Sequence, residues 1–354
     1  KLVPSLILGF SISVLSSYFV QKHLTLKKKK KIILNYILGP ILFAWLSFSI
    51  YKQIQEQPNL PDAWKAIQNS YKGPNAWKLY TVLALMFVNW GLEAKKWQLL
   101  VSGVQNISFF RAFRAIFTGQ AIALNTFNGV GEYVGRVVYL KDGNRLRAVA
   151  LSIVGSLSQI IVTMVLGIIG LIYIRINILD ESHHLEGLSK FWLDAMMYSI
   201  SFWTIIFILV YFQLSWLTKL IEKIPFVAKY SFYIQKLEDF HWKELTRILL
   251  LSFIRYVVFV AQYLLLLELF NVNASIIQLA CMVCVMFLVL AVVPTIPIAE
   301  LGLRGEASKQ LFGLISTNTL GIVFTAVIIW IINRVIPAIA GSIFLLGVKL
   351  FKGK

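Results

Sequence analysis

Long apolar runs dominate this chain and leave few folds open to it. The stretches 32–50, 79–92, 148–174, 196–212, 248–270, 276–293 and 320–346 approach or exceed the roughly 20 residues that a helix needs to span ~30 Å of hydrocarbon. Of the 354 residues, 58% are hydrophobic and 14% charged, whereas a soluble domain carries about 25% charged residues. No soluble core of this length could hide so much apolar surface. A membrane barrel would alternate polarity over segments of about ten residues, and no such alternation is present. The expected fold is an all-α polytopic membrane protein with about eight to ten hydrophobic segments.

The formal charge of +18 would suit a nucleic-acid binder, but its distribution excludes that class. Basic residues cluster in short loops beside the apolar spans, where they set topology and meet anionic lipid head groups. Lys27–Lys31 is the densest run and reads as a cytoplasmic stop for the adjacent helices. The segment 3–20 is apolar and barely long enough to span. Without a small-residue cleavage site, it reads as an extra helix rather than a signal peptide. Residues 1–31 are thus expected to form an N-terminal hydrophobic segment with a basic loop, ahead of a single transmembrane domain over 32–350. Lys95, Lys96, Arg111 and Arg114 mark a cytoplasmic return, with 109–117 expected as a helix lying at the interface. Acidic residues in 175–193 place that loop outside, and the lysine-rich amphipathic loop 215–247 lies inside. Cys281 and Cys284, three residues apart in an apolar helix without a nearby histidine, read as small side chains rather than a zinc site.

Two short segments break this apolar pattern. Gly131-Glu132-Tyr133-Val134-Gly135-Arg136 and Glu300-Leu301-Gly302-Leu303-Arg304-Gly305 each place a glutamate four residues before an arginine. A charged residue near a bilayer centre costs roughly 2.5–3.5 kcal/mol on insertion scales, so a retained ion pair there points to function. The simpler reading is an ordinary surface pair worth about 0.2–0.5 kcal/mol. Each motif follows a helix breaker: Asn125, Gly129 and Gly131 interrupt the first run, and Pro294 and Pro297 the second. Backbone groups freed at membrane depth must face protein or water. Two re-entrant or broken helices, one in each half (about 78–174 and 247–350), form a weak inverted repeat of the kind that brings sites together at the midplane of transporters.

Reactive groups are scarce. The four histidines lie at 23, 183, 184 and 241, outside the spans, and no hydrolase, zincin or phosphate-loop motif occurs. No catalytic residue, metal ligand or cofactor site is expected. A guanidinium beside a carboxylate favours its charged form, whereas a general acid must hold its proton. Binding fits better than bond-making. Arginine is permanently charged and offers bidentate donors to phosphate, and the glutamate partners keep the empty site tolerable to bury. Glu132, Arg136, Glu300 and Arg304 are the leading candidates for a lipid-phosphate site. Arg255 and Arg334 also sit in apolar context, where structural pairing and substrate contact both remain open. Asn125, Gln159 and Gln262 are expected as polar residues of the same cavity, although interhelical hydrogen bonds would equally account for the glutamines. Glu93 and Lys96, beside Trp97, read as interfacial anchors at the end of a span.

Taken together, Glu93-Ala94-Lys95-Lys96-Trp97, Gly131–Arg136, Arg255-Tyr256 with Gln262-Tyr263, and Pro294–Gly305 resemble, in order and over about residues 32–350, the lysylphosphatidylglycerol synthase transmembrane-region family, also described as flippase-like. The resemblance implies a multi-pass protein of the bacterial cytoplasmic membrane, with the two Glu/Arg motifs lining a central cavity that moves or presents anionic lipids. Phe127 and Gly129 stand where family members commonly have a proline and an arginine, which removes a cation from that loop. The larger synthases carry a soluble aminoacyl-transferase domain, and this sequence has none after its last span, so lysine transfer is not expected from it alone.

The leading expectation is transport of an anionic phospholipid or lipid-linked precursor. Two alternatives compete with it. One is a membrane transferase on phospholipid or polyprenyl phosphate with Glu132 or Glu300 as base. The other is a scaffold that docks a soluble glycosyltransferase through 215–247; a homo-oligomer is also open.

Overall fold

The computed structural model describes residues 48, 73–124, 126, 129–179, 190–214, 237, 239–293 and 297–346. The expected N-terminal helix over 3–20, the lysine run, Asn125, Pro294 and most of the loop 215–247 lie outside the described residues. Helix and turn account for nearly everything else, with no strand among the described residues. The chain is an all-α polytopic membrane protein. Four helical stretches are long and apolar enough to cross a membrane: Asp142–Asn177, Phe191–Phe212, Trp242–Leu269 and Thr319–Leu346.

The helices in chain order are α1 (Ala76–Ser102), α2 (Phe109–Ala123), α3 (Gly131–Val137), α4 (Arg145–Asn177), α5 (Lys190–Phe212), α6 (Trp242–Leu269), α7 (Ile276–Val292), α8 (Pro297–Phe312), α9 (Thr319–Trp330) and α10 (Ile336–Leu346). Local chemistry sets several of their starts. Ser108 accepts from the Arg111 amide at the head of α2. Ser275 and Gln278 close a reciprocal capping box on α7, each amide reaching the other's side chain at 3.2 Å. Such caps satisfy amides that have no partner within the helix. Asn318 accepts from the Gly321 amide at 3.0 Å and donates to Phe270 O at 2.8 Å, so one side chain both starts α9 and ties it to the end of α6.

The first charged motif occupies a tight helical hairpin. α2 stops at Ala123, α3 begins at Gly131, and the two run antiparallel: Gly131 packs against Ile122, and Gly135 against Gly119. A Cβ on Gly135 would lie 2.5 Å from the Gly119 Cα, so only a glycine pair permits this backbone contact. Gly129 turns the chain with φ of 68°, a conformation that favours glycine. The far side of α2 meets α10 just as closely, since a Cβ on Gly341 would fall 1.9 Å from Phe117 O. The helix expected over 109–117 is present as the first part of α2. Although Phe109 and Phe110 are exposed, Ala112, Ala115, Ile116 and Phe117 are buried, and the helix runs on to the hairpin turn. α4 receives α7 across Gly167 and Gly170, whose absent side chains make room for Leu288 and the Cys281 carbonyl. Cys281 and Cys284 are free thiols, each partly buried.

The last span is one continuous rod with an irregular turn inside it. Pro337 has no amide, and its ring crowds the carbonyl four residues back. The ladder there widens into a π turn over Ile331–Val335, with the Ile336 amide reaching Ile331 O. This turn carries Asn333 and Arg334.

Candidate functional site

Three buried tryptophans, Trp90, Trp97 and Trp330, flank a polar cluster in the middle of the helical packing. On α1 the residues 89, 93, 96 and 97 share one face by helical spacing, and Asn89, Glu93 and Lys96 are at most 3% exposed. The Lys96 ammonium has three donors, and three acceptors meet it: Glu93 Oε2 at 2.8 Å, Ser252 Oγ at 3.2 Å and Gly155 O at 3.3 Å. Ser252 in turn shares a hydrogen bond with Ser158 at 2.8 Å. A side chain on Gly155 would collide with Leu100, so the glycine keeps α4 close enough for its carbonyl to reach the lysine.

Glu93 gathers two further cations. Arg136 Nη2 donates to Glu93 Oε1 at 2.8 Å and also to Glu132, its partner one turn back on α3. Arg255 Nη1 lies 3.4 Å from Glu93 Oε2. The Arg255 guanidinium also donates to Asn89 Oδ1 at 2.7 Å and Gln159 Oε1 at 3.1 Å. It rests between the rings of Trp90 and Phe259, 5.2 Å from each centroid, an arrangement in which ring faces attract the cation. One carboxylate on α1 thus holds cations from α1, α3 and α6.

A second cluster forms around Glu300 in the first turn of α8. Arg304 Nη2 donates to Glu300 Oε1 at 2.7 Å, and Arg304 Nη1 donates to the Tyr263 hydroxyl at 2.9 Å. From the π turn, Arg334 Nη2 reaches Glu300 Oε2 at 3.2 Å while its Nη1 donates to Gln120 Oε1 at 3.0 Å. A glutamate near a helix N-terminus is favoured by the helix dipole. Asn89 and Asn333 link the clusters across 3.5 Å.

Both clusters face one cavity of about 390 Å³. Of the residues singled out in the sequence, Glu132, Arg136, Glu300, Arg304, Arg255, Arg334, Gln159 and Gly129 line it. Gln262 does not, which corrects the expectation for that residue. It is wholly buried between α6 and α1, where its amide donates to Val82 O at 2.9 Å. The neighbouring Tyr263 reaches the site instead. Gly131 packs behind the hairpin, its amide held by Thr126 Oγ1 at 2.8 Å, and Pro297 opens α8.

Sequence reasoning missed Glu93, Lys96 and Gln120. The placement of Lys96 also withdraws it as a topology marker, because it is sequestered while Lys95, one position away, is exposed and donates to Gln98. The available signal was spacing: polar residues 89, 93 and 96 recur on one helical face beside Trp90 and Trp97, a pattern that end-of-span anchors do not need.

Among the described residues, no group of three or more His, Cys, Asp or Glu could hold a metal ion. Each carboxylate in the cavity accepts from at least one cation, and the cavity is sized for a compact polar group. This arrangement can bind an anion by letting it replace a carboxylate at an arginine. The family model for the lysylphosphatidylglycerol synthase TM region matches residues 7–341. No curated protein matches the chain.

Proposed function

Since the chain belongs to the lysylphosphatidylglycerol synthase TM-region family, membrane proteins of lipid metabolism or transport, we propose that it moves an anionic phospholipid or lipid-linked precursor across the bacterial cytoplasmic membrane, with residues 32–350 as one transport unit. The observation that carries this reading is convergence. Two Glu/Arg motifs from distant parts of the chain face a single cavity, joined by Arg255 and Arg334. The lipid phosphate enters as a competitor for arginine. Bidentate guanidinium binding to phosphate is strong and oriented, and the displaced glutamates keep the empty site from holding bare positive charge. The cavity volume of about 390 Å³ suits a head group, leaving acyl chains to the bilayer.

Purified protein reconstituted into vesicles containing an anionic lipid with a fluorescent tail tests the proposal, with accessibility of the label at the outer leaflet as the readout. Arg304→Gln and Arg334→Gln are each expected to slow lipid movement roughly tenfold or more, the scale of one lost charge-assisted hydrogen bond. Lipid movement at the unaltered rate in both variants would sink the reading.

A further inference from the structure

The two clusters do not balance their charge. In the first, Glu93 and Glu132 face Lys96, Arg136 and Arg255; in the second, Glu300 faces Arg304 and Arg334. Among the described residues, each cluster therefore has one cation more than it has carboxylates.

Unbalanced buried charge is expensive unless something compensates it. Lys96 is held by two hydrogen bonds and its ion pair with Glu93, and the Nε groups of Arg136 and Arg304 are buried without a hydrogen-bond partner among the described residues. The excess thus lies with the guanidinium groups that line the cavity, contributed by both clusters. From this we infer that the site takes a ligand bearing two negative charges, a phosphomonoester or a diphosphate, with one charge met by each cluster, in preference to a singly charged phosphodiester. The inference rests on the anionic-lipid reading above and narrows its substrate class.

A phosphomonoester carries close to two charges above its second pKa of about 6 and one charge below it, so pH offers a control within one ligand. The probes are short-chain water-soluble phosphatidic acid and phosphatidylglycerol, together with inorganic pyrophosphate. Binding of each to the full chain in detergent is measured by calorimetry. At about pH 8 the phosphomonoester lipid should bind roughly tenfold more tightly than the phosphodiester lipid. That advantage should shrink as pH falls through about 6 and the lipid takes up its second proton. Arg334→Gln removes one excess charge and should erase most of the preference. Arg334→Lys should keep it, and Glu300→Gln should enlarge it.

Equal affinity for the two lipids, with both still dependent on the arginines, would overturn the two-charge inference and leave an anionic-lipid site standing. Binding of neither lipid nor pyrophosphate would remove both readings. Tight binding of pyrophosphate alone would retain a site for a multiply charged phosphate, assign it to a soluble anion and overturn the lipid function.

Discussion

The Glu93 cluster and the Glu300 cluster use the same chemistry in different surroundings. Around Glu93, the side chains of Lys96, Arg136 and Glu93 itself are at most 5% exposed, and Arg255 is 13% exposed. Around Glu300, the Arg334 side chain reaches 36% exposure. The first cluster also joins four helices, because Lys96 touches α4 and α6 as well as Glu93. The second depends on α8, the π turn and single polar contacts from α2 and α6. The difference is one of confinement within one site. The closed cluster is tied down by more helices, and the open one leaves Arg334 more accessible from outside.

The largest expected effect lies in the closed cluster. Glu93→Ala removes the carboxylate shared by three buried cations and leaves Arg136 with Glu132 alone, and breaking a buried ion pair costs about 3–5 kcal/mol. Thermal unfolding in detergent should show a large loss of stability. If Glu300→Ala proves equally destabilising, the contrast between the clusters is wrong. The double variant Glu93→Gln/Lys96→Met should recover part of the loss, because removing both members leaves less uncompensated charge.

A middle-sized effect is expected at the hairpin that carries Arg136. Gly135→Ala forces a methyl against the Gly119 backbone, and overpacking of this kind costs about 1–3 kcal/mol. The same change at Gly302, whose Cβ position meets nothing within 4 Å, should leave the melting temperature close to that of the unaltered protein. Comparing the two melts shows whether the first motif is held by backbone packing in a way that the second is not.

The smallest effect on stability, though not on lipid movement, is expected from Arg334→Gln. Partly exposed ion pairs contribute about 0–1 kcal/mol and are screened by salt. Its melting temperature should shift little and its transport defect should dominate. A melt as depressed as that of Glu93→Ala would show that the open cluster is also structural.

Much of this site can be read in the sequence, and the limits of that reading have physical causes. The Glu132/Arg136 and Glu300/Arg304 pairs are local, so spacing alone brings their members together, and the prolines and glycines announce the breaks before them. Arg255 and Arg334 stand out because nothing apolar around them accounts for a guanidinium. Glu93 and Lys96 are different. A carboxylate and an ammonium three residues apart near the end of a span look the same whether they anchor in head groups or lie in the interior. What decides is Arg136 and Arg255, supplied by other helices. Gln262 failed for the opposite reason. Seven residues from Arg255 gives the same helical face, but at a level where Val82, not the cavity, is the neighbour. The fold class followed from apolar run length, whereas the close packing of α2 against α3 and α10 did not, because the glycines at 119, 135 and 341 mark contacts only once those helices are paired.

The π turn of the last span also bears on how the site and the packing coexist. Wider winding over Ile331–Val335 absorbs residues that a regular α-helix would carry round to another face. Upstream of it, α9 keeps its own buried stripe; downstream, α10 keeps Gly341 against Phe117. The rod therefore behaves as two packing modules with a joint between them, and Arg334 sits on the joint. Its direction is set by the π turn rather than by the phase of either module, which is how one rod packs along its length and still presents a cation to the cavity.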